Sequence, residues 1–95
     1  MTKSSLDYWL HAVKNANWNA PQDILSPFNS ADILGNHKGE NSSRVVFNIS
    51  GNDFRMICYY QFGKNKVRLY IKWIGTHAAY TKLCNQKKQY TINIY

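Results

Sequence analysis

Four side chains suited to proton transfer and phosphate stabilisation converge in this sequence: Arg55, Lys72, His77 and Tyr80. The segment Gly75-Thr76-His77-Ala78-Ala79-Tyr80-Thr81-Lys82 directly follows an apolar run. Residues three apart on a helical turn share a side, so His77 and Tyr80 point the same way. An imidazole, a phenol, a guanidinium and an amine fit phosphodiester cleavage by the 2′-hydroxyl of RNA itself. That reaction needs a base for the hydroxyl, a cation for the pentavalent phosphorane and an acid for the 5′-oxygen. Histidine, with an unperturbed pKa of about 6.5, suits either proton-transfer role near neutrality. Arginine's planar fork matches phosphate oxygens and does not titrate. The tyrosine can stack on a base or donate a proton. No carboxylate cluster accompanies the set, which argues against a two-metal nuclease, and no cofactor is expected. Each residue also has a plainer reading. His77 can be a cap or surface residue, Tyr80 can pack its ring, and Arg55 can pair with Asp53 or Asp32. The convergence is worth more than any member alone. His11 and His37 are read as surface residues, on a polar helix face and in a loop.

The elements that must position this set begin at Arg44. Three runs rich in β-branched and aromatic residues follow: 44–50, 53–62 and 67–74. Gly51-Asn52 reads as a two-residue hairpin turn, and 63–66 as a longer one. The first turn pairs Ile49 with Phe54, Asn48 with Arg55, Phe47 with Met56 and Val45 with Cys58. The second pairs Tyr60 with Leu69, Cys58 with Ile71 and Met56 with Trp73. Both hairpins agree on one apolar face, as a strand's period of two requires. The same register sets Ile74 across from Arg55, so His77 should lie near that arginine and Lys72 should lead into the same corner.

Upstream, Ser4 or Ser5 can cap a first helix with Asp7 in its first turn. Leu6, Trp9, Leu10 and Val13 form its apolar stripe. Asn19 can cap a second short helix, with Pro21 in its first turn and Pro27 as its stop. One more helical turn over 31–34 and a polar loop over 35–43 complete the first half, and 90–95 alternates as a further strand. The expected fold class is α+β: N-terminal helices packed on one face of a small antiparallel sheet. Val45, Phe47, Ile49, Met56, Cys58, Ile71 and Trp73 should share the buried face with the helix stripe. The opposite face carries Arg44, Asn48, Arg55, Tyr59, Arg68, Tyr70 and Lys72, with Val46, Ile57 and Ile74 between them. Such a face suits RNA, cations meeting phosphates and rings stacking on bases, but an ordinary solvated face has the same composition.

Ninety-five residues make a single domain, read here as 1–95. Twelve basic residues against 5 acidic give a net charge of +7, which favours a polyanionic partner. Cys58 and Cys84 lie far apart without metal-ligand spacing and are read as reduced thiols. No leader and no membrane span are read, so the expected location is the cytoplasm.

The run Arg44-Val-Val-Phe-Asn-Ile-Ser-Gly-Asn-Asp-Phe-Arg-Met-Ile57, then 67–74, then Gly75-Thr-His-Ala-Ala-Tyr80, resembles HigB-type toxins of type II toxin–antitoxin systems, in the RelE superfamily. Trp18 with Pro21 and Asp23, and the Ala31-Asp32 pair, add to the likeness, which spans roughly Ala12 to Lys82. Thr81 stands where the family has a charged residue, and 84–95 shows no pattern that matches the family. The resemblance implies a RelE-like fold and an endoribonuclease (mRNA interferase) that cuts mRNA at the ribosome. It also implies neutralisation by an acidic helix-turn-helix antitoxin of the HigA kind. The motifs carry over Asn48, Asn52, Arg55, His77 and Tyr80, and Lys72 and Lys82 join them on geometry and charge. Two rival readings stand beside it: a non-catalytic binder of single-stranded RNA, and a gyrase-poisoning relative of the same fold.

Overall fold

The computed structural model describes residues 3–49, 53–63 and 67–95. In chain order it contains helix α1 (Lys3–Lys14), a 3-10 turn (Pro21–Leu25), strands β1 (Asp32–His37), β2 (Glu40–Ile49), β3 (Phe54–Phe62) and β4 (Val67–Thr76), and helix α2 (His77–Asn85). The strands form one antiparallel sheet in the order β1-β2-β3-β4, giving an α+β fold with α1 ahead of the sheet. Both proposed hairpin turns fall wholly or largely on residues outside those described, as do Asn52 and the proposed strand end at Ser50.

The β2–β3 register is the expected one: Val45 opposes Cys58, Phe47 opposes Met56, Asn48 opposes Arg55 and Ile49 opposes Phe54. α1 covers the face these residues share. Trp9, Trp18, Ile24, Val45, Phe47, Ile49, Met56, Cys58 and Tyr60 form the main core, with Leu6 and Val13 packed against it. Phe47 sits at its centre, edge-on to both Trp9 and Phe28 at ring separations of 5.5 and 5.1 Å.

Several expectations are corrected here. Leu10 is 41% exposed, because Leu6, Trp9 and Val13 define the buried side of α1. At 3.6 residues per turn Leu10 falls about 70° from the middle of that set. Ser4 and Ser5 lie inside the helix rather than capping it. Asn19 is not a side-chain cap either. Instead the Asp23 carboxylate reaches back to accept from the Asn19 and Ala20 N–H groups, at 2.7 and 3.0 Å. Residues 31–34 are not helical, and 35–43 is not a plain loop. Asp32–His37 is an edge strand that meets the polar start of β2 through a tight turn at Lys38 (φ 54°) and Gly39 (φ 84°). Two successive positive φ values match the right-handed twist of the flanking strands, and glycine takes the second at no steric cost. Neither strand half alternates in hydrophobicity, so the pairing left no periodic signal. Residues 90–95 form no strand.

The correction that matters most for the site lies between β3 and β4. Tyr60 opposes Leu69 and Cys58 opposes Ile71 as expected, but the register then shifts, and Ile57 opposes Trp73. Lys72 is the extra residue of a β-bulge, which turns every later side chain of β4 to the other face. Trp73 therefore leaves the α1 core for a second apolar cluster on the opposite face. There it packs with Leu34, Val46, Ile57 and Leu83, joined by Tyr80, Tyr90 and Ile92. Ile74 takes the core position opposite Met56, and Gly75 comes opposite Arg55.

Candidate active site and nucleic-acid face

The bulge brings Arg55 and the start of α2 together by a route that differs from the expected one. From the sequence Gly75 is expected to break the third strand, but it lies within β4. It pairs with Arg55, and the strand continues through Thr76. A Cβ at Gly75 would lie 2.4 Å from Trp73 Cζ2 and 2.6 Å from its Cη2, so the indole rests where a side chain would otherwise stand. Thr76 ends the strand and caps α2, its Oγ1 accepting the Ala79 N–H at 3.1 Å. His77 opens the helix with its side chain exposed, and its N–H donates to the Asp53 carbonyl at 3.0 Å. That bond ties the first turn of α2 to the approach of β3, two residues from Arg55.

One turn further on, Tyr80 lies half-buried against Trp73, their rings 6.1 Å apart. Its hydroxyl is held well above the ordinary tyrosine range, first by burial, then by the Cys84 side chain, then by the Asp32 carboxylate, while Arg55 pulls the other way. Tyr80 is thus a neutral O–H at physiological pH, able to give a proton or a hydrogen bond and unable to act as a base. Asp32 on β1 and Arg55 on β3 both act on that one phenol. The sequence offers Asp32 as a possible partner of Arg55 and as part of the family likeness, but not as a neighbour of Tyr80. That place follows from β1 being a strand, with Asp32 opposite Val46 on the face that α2 covers.

Arg55 was expected on an open polar face, but it is 9% exposed, its Nη1 donating to the Phe54 carbonyl at 3.2 Å. Burial follows from α2 and Trp73 packing beside it. Arg44 is also buried, at 7% exposure, and is not available to solvent as expected. Its Nη1 donates to the carbonyls of Gln89 and Ile92 at 3.1 and 2.8 Å, and burial lowers its pKa. Asn48 is half-buried, its amide donating to the Ser30 carbonyl at 3.2 Å. It also borders a cleft of about 360 Å³ with Tyr8, Trp9 and Phe28. Lys72 is the bulge residue of β4, and its Nζ lies 6.0 Å from the Tyr70 ring centroid. His37 is not a loop residue. Its ring stacks flat on Tyr90 at 4.5 Å and 6°.

The continuous cationic face is therefore divided. α2 and residues 89–94 cover one part, whereas Tyr59, Arg68, Tyr70 and Lys72 form a strip beside it. In that strip Tyr59 and Tyr70 are paired across β3 and β4 with rings 6.3 Å apart, and Arg68 and Tyr70 are exposed. Lys82 is exposed on the last turn of α2. Cys58 and Cys84 are both free thiols. Among the described residues no group of three or more His, Cys, Asp or Glu could hold a metal ion, and no helix is long and apolar enough to cross a membrane.

Comparison with protein families decides the class. The family model for the HigB toxin, the RelE-like toxic component of a toxin–antitoxin system, matches residues 2–83. The chain belongs to the HigB toxin family. No curated protein matches it. The matched region of this HigB-family toxin includes Arg55, His77 and Tyr80, as well as the open strip and Lys82, and it ends at Leu83. The segment that occupies Arg44 lies beyond it. Membership implies an antitoxin as partner.

Proposed function

We propose that this HigB-family toxin is a metal-independent endoribonuclease that cuts mRNA on the ribosome, and that residues 1–95 act as one toxin domain. The observation that carries the reading is the Tyr80 phenol, kept protonated within the electrostatic reach of Arg55, one helical turn after an exposed His77. In the reaction, neutral His77 takes the proton of the 2′-hydroxyl as the 2′-oxygen bonds to phosphorus. Arg55 stabilises the charge that builds on the phosphorane oxygens. The bond from phosphorus to the 5′-oxygen then breaks, and Tyr80 supplies that oxygen's proton. Solvent returns a proton to Tyr80 and removes one from His77. The products are a 2′,3′-cyclic phosphate and a 5′-hydroxyl.

Tyr59, Arg68, Tyr70, Lys72 and Lys82 hold the strand, rings on bases and cations on phosphates. An acidic helix-turn-helix antitoxin of the HigA kind neutralises a chain of net charge +7 in the cytoplasm, by covering this face or by blocking ribosome entry. The test is end-group analysis of fragments from ribosome-programmed mRNA, at a magnesium level that keeps the ribosomes assembled. Cyclic phosphate ends with 5′-hydroxyl partners are expected. Fragments with 3′-hydroxyl ends, the product of water attack in a metal-dependent nuclease, would overturn the mechanism.

A further inference from the structure

We propose that residues 89–94 form an intramolecular strap that holds Arg44 on peptide carbonyls and yields it to the phosphate of a bound RNA strand. The proposal rests on the RNA reading above. Arg44 stands on β2 in a row with Tyr59 and Tyr70, the paired rings of the open strip. A strand stacked on those rings would bring a phosphate toward Arg44, and the strap is what meets it there.

The strap is built for exchange in two respects. First, both acceptors on the Arg44 guanidinium, the carbonyls of Gln89 and Ile92, are neutral. A guanidinium withdrawn from water onto carbonyls has lost hydration without gaining a counter-charge, whereas a phosphate matches its fork with charge and geometry together. Second, the strap is lightly fastened. Tyr90 and Ile92 are only half-buried in the second cluster, and the Gln89 Oε1 is buried with no hydrogen-bond partner. Beyond the Tyr90–His37 stack, the Ile94 N–H donates to the Lys72 carbonyl at 2.9 Å and ties the far end to β4, while the Thr91 and Ile92 N–H groups donate locally to the Lys88 carbonyl at the near end. Segments with few buried contacts open at low free energy. The strap thus rests on two residues of the cationic face, on Arg44 through its side chain and on Lys72 through its carbonyl.

The experiment uses the full chain and a 2′-O-methyl RNA oligonucleotide, which lacks the nucleophile and reports binding alone. Ile94→Pro removes the donor to Lys72 at an exposed position and leaves the apolar cluster intact. Tyr90→Ala removes the stack on His37. When a competent state is only partly populated, freeing it tightens apparent binding by the inverse of its population. Ile94→Pro should therefore bind about 3- to 10-fold tighter than wild type, since one hydrogen bond holds the strap by roughly that factor. Replacing Arg44 by Met in the Ile94→Pro background should abolish the gain. In wild type, RNA should speed hydrogen exchange at the Ile94 amide, whose bond to the Lys72 carbonyl is the one that release of the strap breaks. If Tyr90→Ala fails to fold, Ile94→Pro and the exchange measurement decide the matter. Unchanged or weaker binding by folded Ile94→Pro, slower exchange of the Ile94 amide with RNA, or no binding by any variant would overturn the strap. Tighter binding without cleavage of ribosome-programmed mRNA would retain the strap and sink the nuclease. Cleavage by wild type without the affinity gain would do the reverse.

Discussion

Gly75→Ala probes the one close approach on which the geometry of the site depends. The added methyl would lie 2.4 Å from Trp73 Cζ2, 2.6 Å from Cη2 and 3.3 Å from Cε2. Carbon atoms prefer separations of about 3.5–4.0 Å, so the indole must move by roughly 1 Å. It cannot swing freely, because Ile57, Leu83 and Tyr80 pack in the same cluster. Overpacking of this kind costs about 1–3 kcal/mol. Removing glycine from a strand returns about 0.5–1 kcal/mol, so a net loss of about 1–2 kcal/mol is expected. The clashing atoms belong to the outer ring of the indole, which phenylalanine lacks. In a Trp73→Phe background Gly75→Ala should therefore be neutral or slightly stabilising, a coupling of about 1–3 kcal/mol. The assay is urea unfolding of the four proteins of that cycle, with midpoints compared at constant slope. Equal costs in both backgrounds would refute the contact. Since Tyr80 moves with Trp73, cleavage by folded Gly75→Ala should fall about 10²-fold, the usual consequence of a 1 Å misplacement.

Arg55→Lys keeps the charge but loses the fork, and should cut about 10²–10³ slower. Its unfolding midpoint should be measured alongside, because truncating this buried residue to Ala would also cost stability, by about 1–3 kcal/mol. Alkaline stability should fall in two stages. Burial pushes the Cys58 thiol up to about 12 from its ordinary 9.0, and Tyr80 is raised above its ordinary 10.0. Between the unfolded and folded values only the unfolded chain has released its proton, so stability drops as pH rises. The slope should be about 1.4 kcal/mol per pH unit above pH 9 and about twice that above pH 10. Cys58→Ala should remove the first stage, and a flat profile to pH 11 would contradict the burial of both groups. Expression of the chain alone should arrest growth, and co-expression of its acidic antitoxin should restore it. Normal growth at high soluble expression would count against the toxin's proposed action on translation.

The parts of the fold that were legible in the sequence are those where hydrophobic alternation and a short turn act together. Val45, Phe47 and Ile49 alternate against Met56 and Cys58, and the proposed Gly51-Asn52 turn sets the one register that buries both sets. β1 was illegible because Asp-Ile-Leu-Gly-Asn-His has no period, and its partner begins Glu-Asn-Ser-Ser. Its pairing rests on backbone bonds and on the positive φ values at Lys38 and Gly39. The Lys72 bulge was equally silent, since one inserted residue leaves composition unchanged while reversing every side chain after it. The only trace was Gly75, whose missing side chain accommodates Trp73. For the candidate site, the His77–Tyr80 spacing and the Asn48–Arg55 pairing were readable. The burial of Arg55 and Arg44 was not, because it depends on α2 and residues 89–94 folding over the sheet.

The central claim is that His77 and Tyr80 exchange protons with RNA while Arg55 stabilises the phosphorane. It is tested most directly by single-turnover cleavage of ribosome-programmed mRNA by wild type, His77→Gln and Tyr80→Phe. Tyr80→Phe keeps the ring against Trp73 and removes only the hydroxyl, so stability and RNA affinity should stay near wild type. Each variant should cut about 10²–10⁴ slower, the usual worth of a positioned acid or base. A folded Tyr80→Phe or His77→Gln that cuts at the wild-type rate would show that the corner between β4 and α2 is not where the chemistry happens.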